Sequence, residues 1–444
     1  MNDLHDKVVG SWFGMAVGDA MGTAVKSLKP ETIRQYFGEV DGYKDVRPYI
    51  GQGIKQYRMQ GLYSCHMQSA LAVGDCLLKN KRAGVTDFAA ALLQLGTEGP
   101  ENHFGVYRHP EGLFRKAVEM LNVRDPRLPS DQNTNTGCFP IMSIPLALYH
   151  QKESDELTRL CLETSLMMSR NVWEAAGSAL AAFTVLRLLQ EEPEEGENPL
   201  PRKADAWLEE TTQYCRKVES TLQSSFPEVW GSVAEGGGFS RTLEGLRARL
   251  NKGFDELMEW ICHNASEHVK IPVHYATQGY VLTLIPLAFV LLLKQAGDFR
   301  SLLTTALNMG RESDKLGGLM GAWAGALFGF SGIPENWKAG LVNAREIKAR
   351  GEHLALQTPP KGLKDLHLLE QGATLKKMED ERRYVPRKAK KPVMREAFAN
   401  DPWSDGDEEA PLPPKDDIAE LRKFQRDKSR KKRDRRKNMD WSDD

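Results

Sequence analysis

Two ladders of glycine constrain this chain more than any other feature. Between Asn308 and Phe330, in the stretch NMGRESDKLGGLMGAWAGALFGF, Gly317, Gly321, Gly325 and Gly329 recur every fourth residue, with Ala322, Ala324 and Ala326 among them. Glycine inside a helix costs about 1 kcal/mol relative to alanine, so four in one helix demand a compensating tertiary contact. Spacing by four aligns them on one ridge, a flat stripe on which a second helix can lie closely. Gly10, Gly14, Gly18 and Gly22 repeat the pattern near the N-terminus and supply a candidate partner. Just ahead of the second ladder sit Glu312, Ser313, Asp314 and Lys315, at the expected start of a buried helix. A helix start, with its positive dipole end, favours carboxylates or an anionic ligand. The ladders alone signify close packing; the polar cluster at their end marks a candidate site.

The rest of the chain is consistent with a helical protein. Apolar spacing predicts helices over 7–25, 67–79, 87–95, 140–148, 155–168, 173–189, 205–224, 242–264, 277–294, 298–309 and 316–329. Two-residue alternation is almost absent, which makes the fold class all-α. Residues 96–136 read as a long loop, and such loops are often binding segments. Trp12, Trp173, Trp323 and Trp337 fall within apolar helical patterns and are expected in the core. The longest apolar run, Val281 to Leu293, contains Thr283 and Pro286 and is too short to span a bilayer. The six cysteines form no CxxC pair, which suits a reducing compartment and argues against a disulfide framework. With 444 residues and a net charge of −1, the whole molecule is no electrostatic magnet for nucleic acid or membrane. A cytoplasmic location is the expectation.

Charge is unevenly placed, however. One domain is expected over 1–355, followed over 356–444 by a charged tail, largely disordered, with a basic helix expected at 416–437. Arg426 to Lys437 carries nine Lys or Arg against two Asp, a pattern that phosphate-rich nucleic acid or an acidic protein can bind.

The stretches GSWFGMAVGDAMG, YSCHMQSALA, GYVLTLIPLA and NMGRESDKLGGLMGAWAGALFG occur in the order expected of the ADP-ribosylglycohydrolase family, which the chain resembles over roughly residues 5–345. The resemblance implies an all-α fold whose cleft holds two magnesium ions and an ADP-ribosyl group. It also implies ADP-ribose or an ADP-ribosylated protein as the partner.

The functional positions depart from the family pattern. Where family enzymes carry Thr-Asp-Asp-Thr after a Tyr, Tyr63 is followed by Ser64, Cys65, His66 and Met67. The second family cluster, Asp-Thr-Asp-Thr, falls on Glu312, Ser313, Asp314 and Lys315. The glutamate near the scissile bond falls on Lys26, a Thr-His pair on Ser169-Arg170, and a Gly-Asn-Gly loop on Thr136-Gly137-Cys138. Lys26, Gly137, Cys138, Arg170, Gly279 and Tyr280 are the expected ligand-contacting residues, with Asp314 or Glu312 as the candidate base.

Magnesium takes oxygen ligands in near-octahedral geometry. A thiol and an imidazole replace two of its carboxylates here, and these softer donors suit zinc or iron better than magnesium. A zinc site from Cys65, His66, Glu312 and Asp314 is one alternative. The favoured expectation is that no metal binds: the amines of Lys26 and Lys315 occupy the old metal cavity and balance Glu312 and Asp314. An ammonium balances charge but supplies no polarised water. The leading expectation is therefore a catalytically degenerate member that still binds an ADP-ribosyl or related nucleotide group. Two alternatives stand beside it. One is an active hydrolase of ADP-ribosyl N- or O-glycosidic bonds with altered metal dependence. The other is a scaffold acting through its charged tail.

Overall fold

The computed structural model describes residues 3–194, 196–231 and 238–384, which belong to one compact unit. Among the described residues there is no β-strand. In the N-terminal half the helices are α1 (Asp3–Val25), α2 (Pro30–Phe37), α3 (Cys65–Lys79), α4 (Val85–Thr97), α5 (Gly112–Met120), α6 (Ile144–His150), α7 (Asp155–Leu166) and α8 (Val172–Leu188). There follow α9 (Ala204–Ser225), α10 (Pro227–Trp230), α11 (Phe239–Arg247), α12 (Phe254–Val269), α13 (Val281–Lys294), α14 (Phe299–Asn308) and α15 (Ser313–Phe328). The last three are α16 (Glu335–Gly340), α17 (Ala344–Leu356) and α18 (Leu366–Tyr384). No described helix is long and apolar enough to cross a membrane.

α1 and α15 run antiparallel along the two glycine ladders, at the centre of the molecule. A Cβ built on Gly18 would stand 1.9 Å from the Gly317 carbonyl oxygen, and one on Gly321 would stand 2.1 Å from that of Gly14. Gly10 meets Gly325 and Gly329 in the same way, and Gly22 meets Ser313. Backbone therefore lies on backbone, which only glycine permits, and this contact offsets the intrinsic helix penalty. Trp12, Trp323 and Trp337 are fully buried around the pair, as expected of core residues, while Trp173 is only half-buried. All six cysteines are unpaired thiols.

Three segments differ from the sequence-based expectation. The stretch 96–136 is not wholly loop, because Phe114, Ala117 and Val118 give α5 a buried face. The single helix expected over 242–264 is two, α11 and α12, with Gly253 at the break. The compact unit also continues beyond residue 355 through α18, whose Leu366, Leu369, Glu370, Ala373, Thr374 and Lys377 are buried at helical spacing. The basic helix expected at 416–437 lies outside the described residues.

Candidate functional site

The antiparallel pairing sets the C-terminal end of α1 beside the first turn of α15. Lys26 follows the last residue of α1, where the helix dipole favours a cation, and Asp314 occupies the first turn of α15, where it favours an anion. Their charged groups meet, Lys26 Nζ lying 2.8 Å from Asp314 Oδ2. Lys26 also lies 2.6 Å from Glu111 Oε1. Lys315 Nζ lies 2.9 Å from Glu111 Oε2 and 2.7 Å from Glu312 Oε2, and it donates to the Thr136 carbonyl oxygen at 3.1 Å. Two ammonium groups and three carboxylates thus form one ionic lattice. The Lys26 and Lys315 side chains are 11% and 4% exposed and that of Asp314 is 0%, so the lysine heads face inward.

The third strand of this lattice comes from α3. Asp19, on α1, accepts hydrogen bonds from the Ser64 amide (2.9 Å), the Ser64 hydroxyl (3.0 Å) and the Met67 amide (2.8 Å). It thereby ties the start of α3 to α1. Ser64 caps the helix by accepting from the His66 amide. These bonds carry His66 into the cluster, its Nε2 3.4 Å from Asp314 Oδ2. Cys65 turns elsewhere: its Sγ lies 4.0 Å from His66 Nδ1 and donates to the His109 carbonyl oxygen at 3.8 Å. Cys138 Sγ donates to Glu111 Oε2 at 3.6 Å.

Burial disfavours charge throughout the cluster, but mutual attraction outweighs it. Asp314 is desolvated, yet Lys26 and His66 hold its carboxyl well below the usual range. Glu111 is likewise driven down by Lys26 and Lys315 against its burial. Desolvation works against Lys26, while Asp314, Glu111 and Glu312 push it well above the ordinary lysine value. Asp19 behaves differently, because burial, aided by Asp314, raises it despite His66.

The loop at 132–138 is pinned by its own set of bonds. Glu174 Oε1, fully buried on α8, accepts from the amides of Thr136 and Gly137. The Ser169 hydroxyl donates to the Thr134 carbonyl oxygen (2.7 Å), and Asn135 accepts from the Val281 amide (2.8 Å). Desolvation pushes the Glu174 carboxyl up to about 7 despite those amides. A narrow cavity of about 10 Å³, the room of one water molecule, opens among His66, Cys138, Ile141, Leu284 and Lys315.

Of the residues singled out in the sequence, Lys26, His66, Cys138, Glu312, Asp314 and Lys315 come together. Gly279 joins them, since a Cβ there would stand 3.2 Å from the Glu312 side chain and 3.3 Å from Lys315 Nζ. Gly137, at φ +64, packs on Leu284 and the Tyr280 backbone. Arg170 does not join, because its guanidinium donates to the Glu228 carbonyl oxygen at 3.3 Å. Sequence reasoning missed Glu111, the N-cap residue of α5, which bridges both lysines. It also missed Glu174 and the capping role of Asp19. The only sequence signal for Glu111 was an acid directly ahead of an amphipathic segment.

An all-α fold with a buried ionic cluster at the junction of two glycine-laddered helices defines the class. The ADP-ribosylglycohydrolase family model matches residues 1–364, and the chain belongs to that family. Among solved structures, it is similar to an "ADP-ribosylglycohydrolase-related protein complex", at 18% identity and a TM-score of 0.55, covering 81% of this chain and 100% of that one. That likeness concerns the fold. No curated protein sequence matches the chain.

Proposed function

We propose that the protein is a catalytically degenerate ADP-ribosylglycohydrolase-family member that binds an ADP-ribosyl or related nucleotide group without hydrolysing it. One observation carries this reading: Lys26 and Lys315 place ammonium groups 2.6–2.9 Å from oxygens of Glu111, Glu312 and Asp314. Magnesium, which the family resemblance implies, does not fit this donor set. The carboxylate oxygens already hold cations, and the neighbouring donors are an imidazole and a thiol. An ammonium offers no acidic bound water, so hydrolysis by the magnesium route that the resemblance implies has no starting point here.

Asp314 is also a poor general base. It is fully buried and held ionised at low pH by Lys26, so it has little tendency to take up a proton near neutrality. Glu111 and Glu312 are the partly exposed members of the cluster, and they mark the side on which a ligand meets it. The missing side chain of Gly279 leaves that approach open beside Glu312 and Lys315. The inner cavity has room for about one water, so a nucleotide rests against the outer face of the lattice.

Thermal melting with ADP-ribose tests binding, since a ligand stabilises the state it binds. The expected result is a concentration-dependent rise in melting temperature that magnesium and EDTA leave unchanged. Release of ADP-ribose from modified arginine or serine, stimulated by magnesium and abolished by EDTA, overturns the proposal in favour of an active hydrolase. A scaffold acting through its tail predicts no shift with ADP-ribose.

A further inference from the structure

The softer donors of the lattice stand close together. His66, Glu111 and Cys138 each present one ligand atom, and these three atoms lie within 4.8 Å of one another. His66 is 1% and Cys138 2% exposed. His66 Nε2 is buried without an aligned hydrogen-bond partner, Asp314 Oδ2 being 3.4 Å away. His66 and Cys138 also line the small cavity, whose volume of about 10 Å³ suits a single ion or water.

We propose that His66, Glu111 and Cys138 form a binding site for one divalent ion of the zinc class. Imidazole, thiolate and carboxylate are the three ligand types zinc uses, at 2.0–2.3 Å, which sets tetrahedral donors roughly 3.5 Å apart. Shifts of under about 1 Å per side chain close the present arrangement to that geometry. The adjacent lysines do not forbid the ion. With Cys138 deprotonated, as a zinc ligand must be, its thiolate and the carboxylates of Glu111, Glu312 and Asp314 stand against two ammonium groups, a deficit that a divalent cation matches. A carboxylate has about four acceptor positions, so Glu111 can keep both ammonium contacts and still offer one lone pair. This site differs in ligands and ion from the magnesium pair that the family resemblance implies, and it does not depend on nucleotide binding.

The test is cobalt titration of the full-length, metal-free protein, with zinc as competitor. The expected result is one cobalt per chain, a sulfur-to-cobalt charge-transfer absorption, and its loss when one equivalent of zinc is added. Cys138→Ser removes that absorption and weakens uptake at least 100-fold, whereas Cys76→Ser changes neither. His66→Gln weakens uptake to a similar degree, and Lys315→Met strengthens it by freeing Glu111. Melting curves of the apo variants establish that each is folded. No uptake by folded wild-type protein, a charge-transfer band that survives Cys138→Ser, or uptake unaffected by His66→Gln overturns the proposal.

Discussion

The glycine seam and the ionic cluster at its end are a few residues apart on the same two helices, yet they hold together by opposite means. Along the seam, carbonyl oxygens of one helix fill the places where side chains of the other would be, as at Gly18 against Gly317. Backbone has no rotamers with which to yield. In the cluster, Lys26, Lys315 and Glu111 bring long side chains with several rotatable bonds to shared partners. Such a lattice tolerates small displacements but not a change of charge. The seam therefore fixes shape and the cluster fixes electrostatics, so substitutions should fail differently in each.

The largest expected effect is at the seam. Gly18→Val places a branched side chain where even a Cβ stands 1.9 Å from a carbonyl oxygen. The helices must separate along their length, undoing the central packing of a fold whose whole margin is about 5–15 kcal/mol. Loss of the cooperative urea transition is the expected outcome. A folded variant with a melting temperature near wild type shows that the seam has slack.

Next comes a charge buried away from the cluster. Glu370, on α18, pairs with Arg108 at 2.6 Å, both side chains being 0% exposed. It also accepts from the Tyr63 hydroxyl (2.7 Å) and Gln68 Nε2 (3.0 Å). Arg108 in turn donates to the Tyr63 carbonyl oxygen, and its own carbonyl accepts from the Cys65 amide. One acid thus laces together the two segments that carry His66 and Glu111, from a helix lying just past the residues the family model matches. Glu370→Ala leaves Arg108 buried without its partner, which costs about 3–5 kcal/mol. Chemical denaturation measures it, and a cost below about 1 kcal/mol contradicts the picture of α18 as an integral strap.

That strap also shows where sequence reading stops. The helical class, the two ladders and the Glu312–Lys315 cluster were legible because each is local and periodic. Lys26 was legible as an amine in a position where the family resemblance implies an acid. α18 was not, because polar Glu370, Thr374 and Lys377 share its buried stripe with Leu366, Leu369 and Ala373. A stripe half polar reads as solvated tail until its partners, 262–307 residues away, are known. Glu111 was missed for the same reason: it lies 85 residues from Lys26 and 204 from Lys315. Pairings across such separations leave no periodic trace.

A smaller effect, with a characteristic pH dependence, is expected at Glu174. Its carboxyl titrates at about 7 when folded and near its ordinary 4.5 when unfolded. Between those values the folded state binds the extra proton, so stability falls as pH rises from 4.5 to 7, and the penalty is complete above 7. Its size is about 3 kcal/mol at most. Glu174→Gln keeps an oxygen to accept from the Thr136 and Gly137 amides but cannot ionise. The variant should match wild type near pH 4.5 and exceed it progressively towards pH 8. Parallel stability curves for the two proteins across that range exclude the effect.

The smallest effect is the one that best separates shape from charge. The Ser64 hydroxyl accepts from the His66 amide at 3.2 Å and donates to Asp19 Oδ2 at 3.0 Å, so it belongs to both the helix cap and the cluster. Asp19 nevertheless keeps the amides of Ser64 and Met67 and the Thr23 hydroxyl without it. Removing an N-cap hydroxyl typically costs about 1 kcal/mol. This duplicated cap should lose no more than that in Ser64→Ala, measured by the shift in urea midpoint. A loss of several kcal/mol means that the hydroxyl, rather than Asp19, positions α3 and His66, and that the cluster is as rigid as the seam beside it.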